Sequence, residues 1–519
     1  MAARQPSRAS ASAGLSELPQ PAPPKALPNA AAGALVFFTA AAVLVLEILA
    51  GRLLAPYVGV TLETYTGIIG VVLAGIAIGT WLGGRAADKF AARRLLGPLL
   101  LWGGALALLS VPAITWVGEA RLQPGPGAIV TLALVGFFAP AAVLSAVAPT
   151  VVKLQLADLR VTGSVVGRLS ALGTAGAIVG TFATGFVLIA AFPSRPIVVA
   201  VGGALVVAGL LLWLRMGARR DVSLVTLALA TAVAGGGATL LFGGTCQWES
   251  AYYCVRIEQD SARATGRVLW LDQLRHSYVD LDDDAHLEFD YARLFADVID
   301  TRTAAGSPIS ALHVGGGGFT LPRHLRAVRP GTQSTVLELD PLLVALARDE
   351  LGLVAEPGIR IETGDARLTL RDEPEAAYDV VLGDAFGGLA VPWHLTTREF
   401  LDEIRRVLRP GGVYALNLID YPPLDFARAE LATLREAFAN VAFIATPRAD
   451  GVFAGGTFVM VASDAPIDAD ALAAAIGGRP GWRQRVVAEA AILDAFIGDA
   501  PVLSDDFAPV DQLISQPPF

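Results

Sequence analysis

The chain has 519 residues, 54% of them hydrophobic and 17% charged, with a mean hydropathy of +0.55. That is too apolar for one ordinary water-soluble enzyme, so part of the chain belongs in lipid. The net charge of -9 argues against nucleic acid as a partner, because the phosphate backbone is normally met by a basic face. Ionisable groups are sparse between 33 and 243 and most acids follow Glu249, which divides the chain into two parts of different solvent.

Residues 1–32 are rich in Ala, Pro and Ser without helical or strand period, and are read as a disordered tail. Apolar runs long enough to cross a hydrocarbon core then recur at 33–54, 66–84, 95–117, 127–152, 164–190, 195–214 and 222–243. They predict a multi-pass bundle of about seven helices over 33–244 in the cytoplasmic membrane, with the bilayer as its partner. Small residues at four-residue spacing (Gly75, Gly79, Gly83; Gly176, Gly180, Thr184) predict close helix–helix packing. Glu47 lies inside the first run, where a charge costs at least about 2.5 kcal/mol, so it calls for a partner or a watered path. Arg52 is near enough to the helix end to reach the interface.

Basic residues gather in alternate loops: Arg85, Lys89, Arg93 and Arg94, then Lys153, Arg160 and Arg168, then Arg215, Arg219 and Arg220. The positive-inside rule makes that side cytoplasmic, and seven spans would then carry the C-terminal half outward. A re-entrant seventh run, around Gly235, Gly236 and Gly237, would return it to the cytoplasm. Cys246 and Cys254, the only cysteines, are either a disulfide or two buried thiols. The side faced by the C-terminal half stays open.

From 306 to 519 the pattern alternates strands (310–314, 334–339, 378–383, 412–418, 441–446, 456–462) with helices (321–328, 341–351, 396–408, 425–439), which predicts a parallel doubly wound sheet. Ligands of such sheets bind at the carboxyl ends of the strands. There stand Gly315, Gly316, Gly317 and Gly318, suited to close backbone approach or to a tight turn. Glu338 ends the next strand, where an acid accepts ribose hydroxyls. Gly364-Asp365-Ala366 offers a carboxylate to an adenine amino group or a cap to the next turn. Asp384 ends the central strand, as a base or electrostatic partner for a reacting group, or as a loop cap.

The glycine run, acid, Gly-Asp-Ala and strand-end Asp, in this order, resemble the spermidine synthase (polyamine aminopropyltransferase) branch of the class I methyltransferase fold. Glu249-Ser250-Ala251-Tyr252-Tyr253, Leu271-Asp272 and Tyr291 resemble that family's small N-terminal β-domain, here 245–305. Pro392 to Phe400, Leu408 to Gly412, Asp505 to Pro509 and, in the membrane half, Gly51 to Pro56 resemble its membrane-fused members. The resemblance implies an α-helical transmembrane bundle joined to a Rossmann-like nucleoside-binding domain. It also implies transfer of an aminopropyl group from decarboxylated S-adenosylmethionine to a small amine. Asp384 matches the catalytic acid; Gly315, Gly316, Gly317, Glu338, Asp365 and Ala366 match the nucleoside site. Tyr291, His276 and His394 are candidate substrate contacts, His394 either shaping the acceptor pocket or packing at a helix start. Two departures stand out: Gly318-Phe319 replaces an expected acid, and Ala385, Phe386, Gly387 and Gly388 follow Asp384 without the second one.

Three functions follow: an aminopropyltransferase for an amine that need not be putrescine, a methyltransferase using intact S-adenosylmethionine, or a non-catalytic nucleoside-binding or transport protein. His276, His286, His313, His324 and His394 show no ligand spacing with the cysteines, so no metal is expected. Gly-x-Ser-x-Gly is absent, which argues against a covalent nucleophile. Association into a homo-oligomer is left open.

Overall fold

The computed structural model describes residues 27–120, 125–156, 162–216, 222–241, 244–354, 358–388, 391–448 and 453–515. Of the expected N-terminal tail, residues 1–26 lie outside the described residues, and the first helix already begins at Asn29. Among the described residues, seven helices are long and apolar enough to cross a membrane: α1 Asn29–Val58, α2 Leu62–Lys89, α3 Ala92–Glu119, α4 Pro126–Gln155, α5 Thr162–Ala191, α6 Ser194–Met216 and α7 Val222–Leu241. The expected glycine spacings mark helix contacts. A Cβ on Gly83 would lie 2.6 Å from the Ala146 backbone of α4, and one on Gly180 2.6 Å from the Ala41 carbonyl of α1. Gly79 and Gly176 face backbone in the same way, at Ala142 and Phe37. The re-entrant alternative for the seventh run is not what forms. α7 is one continuous helix whose Gly235 abuts α3 at Leu109 and whose Thr239 hydroxyl donates to the Leu108 carbonyl at 3.1 Å.

A small antiparallel sheet follows, β1 Trp248–Glu249, β2 Cys254–Gln259, β3 Gly266–Leu271 and β4 Leu274–Asp280, in that order. Cys246 and Cys254 are joined by a disulfide. Helix α8 (Asp290–Arg302) leads into the larger domain: β5 Ser310–Val314, α9 Thr320–Val328, β6 Gln333–Glu338, α10 Pro341–Asp349, β7 Ile359–Thr363, α11 Ala366–Thr369, β8 Tyr378–Gly383, α12 Arg398–Val407, β9 Leu408–Asp420, α13 Asp425–Ala437, β10 Asn440–Ala445, β11 Gly456–Ser463, α14 Ala469–Gly477, β12 Arg485–Val487 and α15 Ala490–Ile497.

The sheet order is β12-β10-β11-β9-β8-β5-β6-β7. It is parallel from β7 to β9, as the alternation predicts, but β10, β11 and β12 pair antiparallel. The connection from Ala445 to Gly456 is too short for the crossover helix a parallel pair needs, so β10 and β11 close as a hairpin. Successive side chains of β8 point to opposite faces: Val381 packs with Phe400 and Ile404 of α12 and Phe426 of α13, while Val380 and Leu382 pack with Phe295 and Val298 of α8. Both faces are thereby covered, and the carboxyl ends of the strands are left open to a ligand.

Candidate active site

The turn after β5 sets the first wall of the site. Gly315 (φ +99°) and Gly317 (φ +51°) adopt left-handed conformations, and a Cβ at Gly315 would collide with the Asp384 carbonyl. Glu338 holds this turn: one carboxylate oxygen accepts the Gly316 and Gly317 N–H groups at 2.9 and 3.0 Å, the other the Asp340 N–H at 2.9 Å. Burial pushes the Glu338 carboxyl upward, against the pull of those three N–H groups. The Ser277 hydroxyl of β4 accepts the Gly318 N–H at 3.0 Å, so the small sheet is fastened to the glycine turn. Phe319, where an acid was expected, is fully buried in a left-handed conformation and packs with Val336 and Val344.

Gly315, Gly316, Gly317, Glu338, Asp365, Ala366 and Asp384 line one cavity of about 80 Å³, together with His276 and His394. Asp365 forms the cap expected of it. One oxygen caps α11 through the Arg367 N–H at 2.9 Å, and the other lies 3.1 Å from His394 Nε2. His394 thus borders the smaller cavity against Asp365 and is not among the residues lining the larger one. Behind it, Arg367 donates to the His394 carbonyl (2.8 Å), Thr397 Oγ1 (2.7 Å) and Asp505 (2.6 Å), while the Thr397 hydroxyl donates to Asp505 at 2.7 Å. The two downstream motifs therefore brace each other around one arginine.

Asp384 stands between this cavity and a larger one of about 520 Å³. Its N–H continues the β5 pairing through the Val314 carbonyl (2.9 Å), which fixes the backbone. The Tyr291 hydroxyl donates to one carboxylate oxygen and Asn417 Nδ2 to the other, both at 2.9 Å. Burial pushes Asp384 up to about 6, against the pull of Asn417 and Tyr291. Burial and the neighbouring Asp384 charge hold Tyr291 well above its ordinary range, so it stays a donor.

The larger cavity is also lined by Tyr291, His276, Arg275, Glu288, Asp290 and Gln484. Burial pushes His276 down to about 4, leaving a neutral imidazole whose Nδ1 is buried without a hydrogen-bond partner. Glu288 and Asp290 are acids on this lining, Asp290 lying 3.4 Å and Glu288 3.9 Å from Arg293. Neither they nor Asn417 stood out in the sequence. The available signals were an amide inside the apolar run Tyr414 to Ile419, and two acids flanking Phe289 just before the candidate Tyr291. The rim of the cavity lies beside the connection between α1 and α2. A Cβ at Gly388, on its rim, would lie 3.7 Å from the Val60 carbonyl between α1 and α2, and one at Gly59 would meet the Gln273 side chain at 2.6 Å.

With this geometry, comparison with known proteins becomes informative. Residues 312–416 match a family model described as a methyltransferase domain. A polyamine aminopropyltransferase of Vibrio vulnificus is 30% identical over 175 residues, 32% of this chain and 55% of that protein. The polyamine aminopropyltransferase 2 of Streptomyces coelicolor is 36% identical over 145 residues, 26% of each chain. Over these stretches the C-terminal half is similar to the polyamine aminopropyltransferases. The chain spans about half the length of the Vibrio relative and about a quarter of the Streptomyces one. A crystal structure of a probable spermidine synthase from Corynebacterium glutamicum is 29% identical, covering 52% of this chain and 98% of that one at a TM-score of 0.46.

Proposed function

We propose that the chain is a membrane-bound transferase that moves an aminopropyl group from decarboxylated S-adenosylmethionine to a small amine. In this reading the seven helices anchor it in the cytoplasmic membrane, the small sheet over 245–305 covers the site, and the domain from 306 holds the nucleoside. The observation that carries it is the position of Asp384, a carboxylate at a strand end between the glycine-turn cavity and a larger cavity bearing Glu288 and Asp290. Glu338 and Asp365 would take the ribose and adenine, and Gly315, Gly316 and Gly317 would let the donor pass close to the backbone.

An alkylammonium has no lone pair, so the acceptor must lose a proton before it reacts. Asp384, held by Tyr291 and Asn417, would take that proton. The freed nitrogen attacks the carbon beside the sulfonium, a C–N bond forms, the C–S bond breaks, and methylthioadenosine leaves as a neutral thioether. Glu288 and Asp290 would hold a second positive end of the acceptor, and alignment of nitrogen with carbon supplies much of the remaining rate.

The test is turnover by the purified full chain with decarboxylated S-adenosylmethionine and a panel of amines, read as methylthioadenosine release, beside Asp384→Asn. Release that depends on amine and is lost in the variant supports the reading. Turnover of intact S-adenosylmethionine to S-adenosylhomocysteine instead would make it a methyltransferase, and binding without turnover a sensor or transport component.

A further inference from the structure

The two ends of the helical bundle differ in charge and in redox chemistry. At one end the Lys153 ammonium pairs with Asp88 at 2.7 Å, joining α4 to α2. Arg168 at the start of α5 reaches Asn29 at the start of α1, and Gln155 donates to the Leu27 carbonyl, so the chain enters the bundle at this end. A Cβ on Gly97 of α3 would lie within 3 Å of Trp213 in α6, which brings Arg215 to the same end as Arg93 and Arg94. Arg85 and Lys89, in the last turns of α2, complete it.

The opposite end carries the soluble half. There Tyr57 bonds to Thr245, Ser194 to Glu249, and Arg52 to Glu249 and to the carbonyls of Ser250 and Ala251. Besides Arg52 and Arg195, its described helix termini bear the acids Glu63 and Glu119. The disulfide between Cys246 and Cys254 sits at this end, within the connection from α7 to β2.

We infer that the soluble half and its candidate active site lie on the non-cytoplasmic side of the membrane. Basic loops are retained in the cytoplasm, which assigns the Arg85, Lys89, Arg93, Arg94, Lys153, Arg168 and Arg215 end to the inside. Seven spans, with the chain entering at that end, deliver Thr245 to the other face. A disulfide persists on that face and is kept reduced on the cytoplasmic one. The span number places Thr245 opposite the basic end, and charge and thiol state, which are independent of each other, then give the same side. On the proposed function, acceptor and sulfonium donor must both be present there, so a transport step carrying the nucleoside outward has to precede the transfer.

Fusions of the full chain to alkaline phosphatase and to green fluorescent protein at the C-terminus, in a bacterial host, read the side independently of any chemistry at Asp384. The expected result is active phosphatase with loss of fluorescence, and in the unfused chain a maleimide–polyethylene glycol gel shift of Cys246 and Cys254 only after reduction. In Cys254→Ser, a membrane-impermeant maleimide should label Cys246 in intact spheroplasts. Fluorescent fusions, or Cys246 labelled only after permeabilisation, would overturn the assignment.

Discussion

In the bundle, Gly79 and Gly83 of α2 lie flat against the backbone of Ala142 and Ala146, and Gly180 of α5 against Ala41. In the soluble half, Gly315 and Gly317 take left-handed conformations beside a cavity, while adhesion is left to side chains such as Phe400, Phe426 and Leu416. Lipid gives helices no hydrophobic reason to meet, so close backbone contact must do it; water drives the soluble core together and frees its glycines to shape a site. One residue type thus holds the fold in one half and makes room for chemistry in the other.

The largest effect expected from breaking the site alone is Asp384→Asn. Loss of a positioned base costs about 100-fold to 10,000-fold in turnover. Stability should move the other way. Burial raises Asp384 above its unfolded value, so the stabilising influence of its protonated form is present at low pH and lost as pH rises through about 6. Asp384→Asn is therefore expected to have a higher Tm than the parent at pH 8 and an equal one below pH 4. A lower Tm at pH 8 would mean the carboxylate holds the loop together.

Substituting glycine in the two halves should lower stability in both but cost ligand binding in only one. Gly79→Leu forces a side chain into the α4 backbone, and overpacking of this kind costs about 1–3 kcal/mol, read as a lower Tm for the full chain in detergent. Gly315→Ala should also lower Tm, because its Cβ meets the Asp384 carbonyl and its φ of +99° is strained for alanine, and should in addition abolish nucleoside binding by calorimetry. If Gly79→Leu also lost nucleoside binding in the folded chain, the division of labour between the halves would fail.

What could be seen from the sequence follows the same division. The seven spans were legible because length and hydropathy are local, and the residues lining the glycine-turn cavity because each sits where an apolar run ends. The antiparallel β10 and β11 were not, since their direction is set by the room left between Ala445 and Gly456. Asn417, Glu288 and Asp290 reach Asp384 or its cavity only through the folded sheet and the turn before α8. Likewise, Arg367 explains the Trp393 to Phe400 and Asp505 motifs by joining them across a long stretch of chain.

A smaller change should separate Asp384 from its supports. Tyr291→Phe and Asn417→Leu each remove a donor that favours the charged carboxylate, so the alkaline rise of the pH–rate profile, expected near pH 6, should shift to higher pH in both. A profile unchanged in both variants would show that another group sets the limb.

The smallest effect is expected where the halves meet. The Arg52 and Glu249 side chains are 13% and 14% exposed, so their pairing is shielded from solvent more than a surface ion pair. Ser194 also donates to Glu249, through its backbone N–H at 3.1 Å and its hydroxyl, and Arg52 has the carbonyls of Ser250 and Ala251 besides. Each partner therefore retains other hydrogen bonds when the other is removed, which limits the penalty of a single substitution. A double-mutant cycle of Arg52→Ala and Glu249→Gln on the Tm of the full chain should give a coupling of about 1 kcal/mol, with kcat within a few-fold of the parent. Zero coupling would leave the carbonyls as Arg52's real partners. A fall in kcat with unchanged Tm would mean instead that the bundle positions the α1–α2 connection against the Gly388 rim of the cavity, and that the membrane half belongs to the catalytic unit.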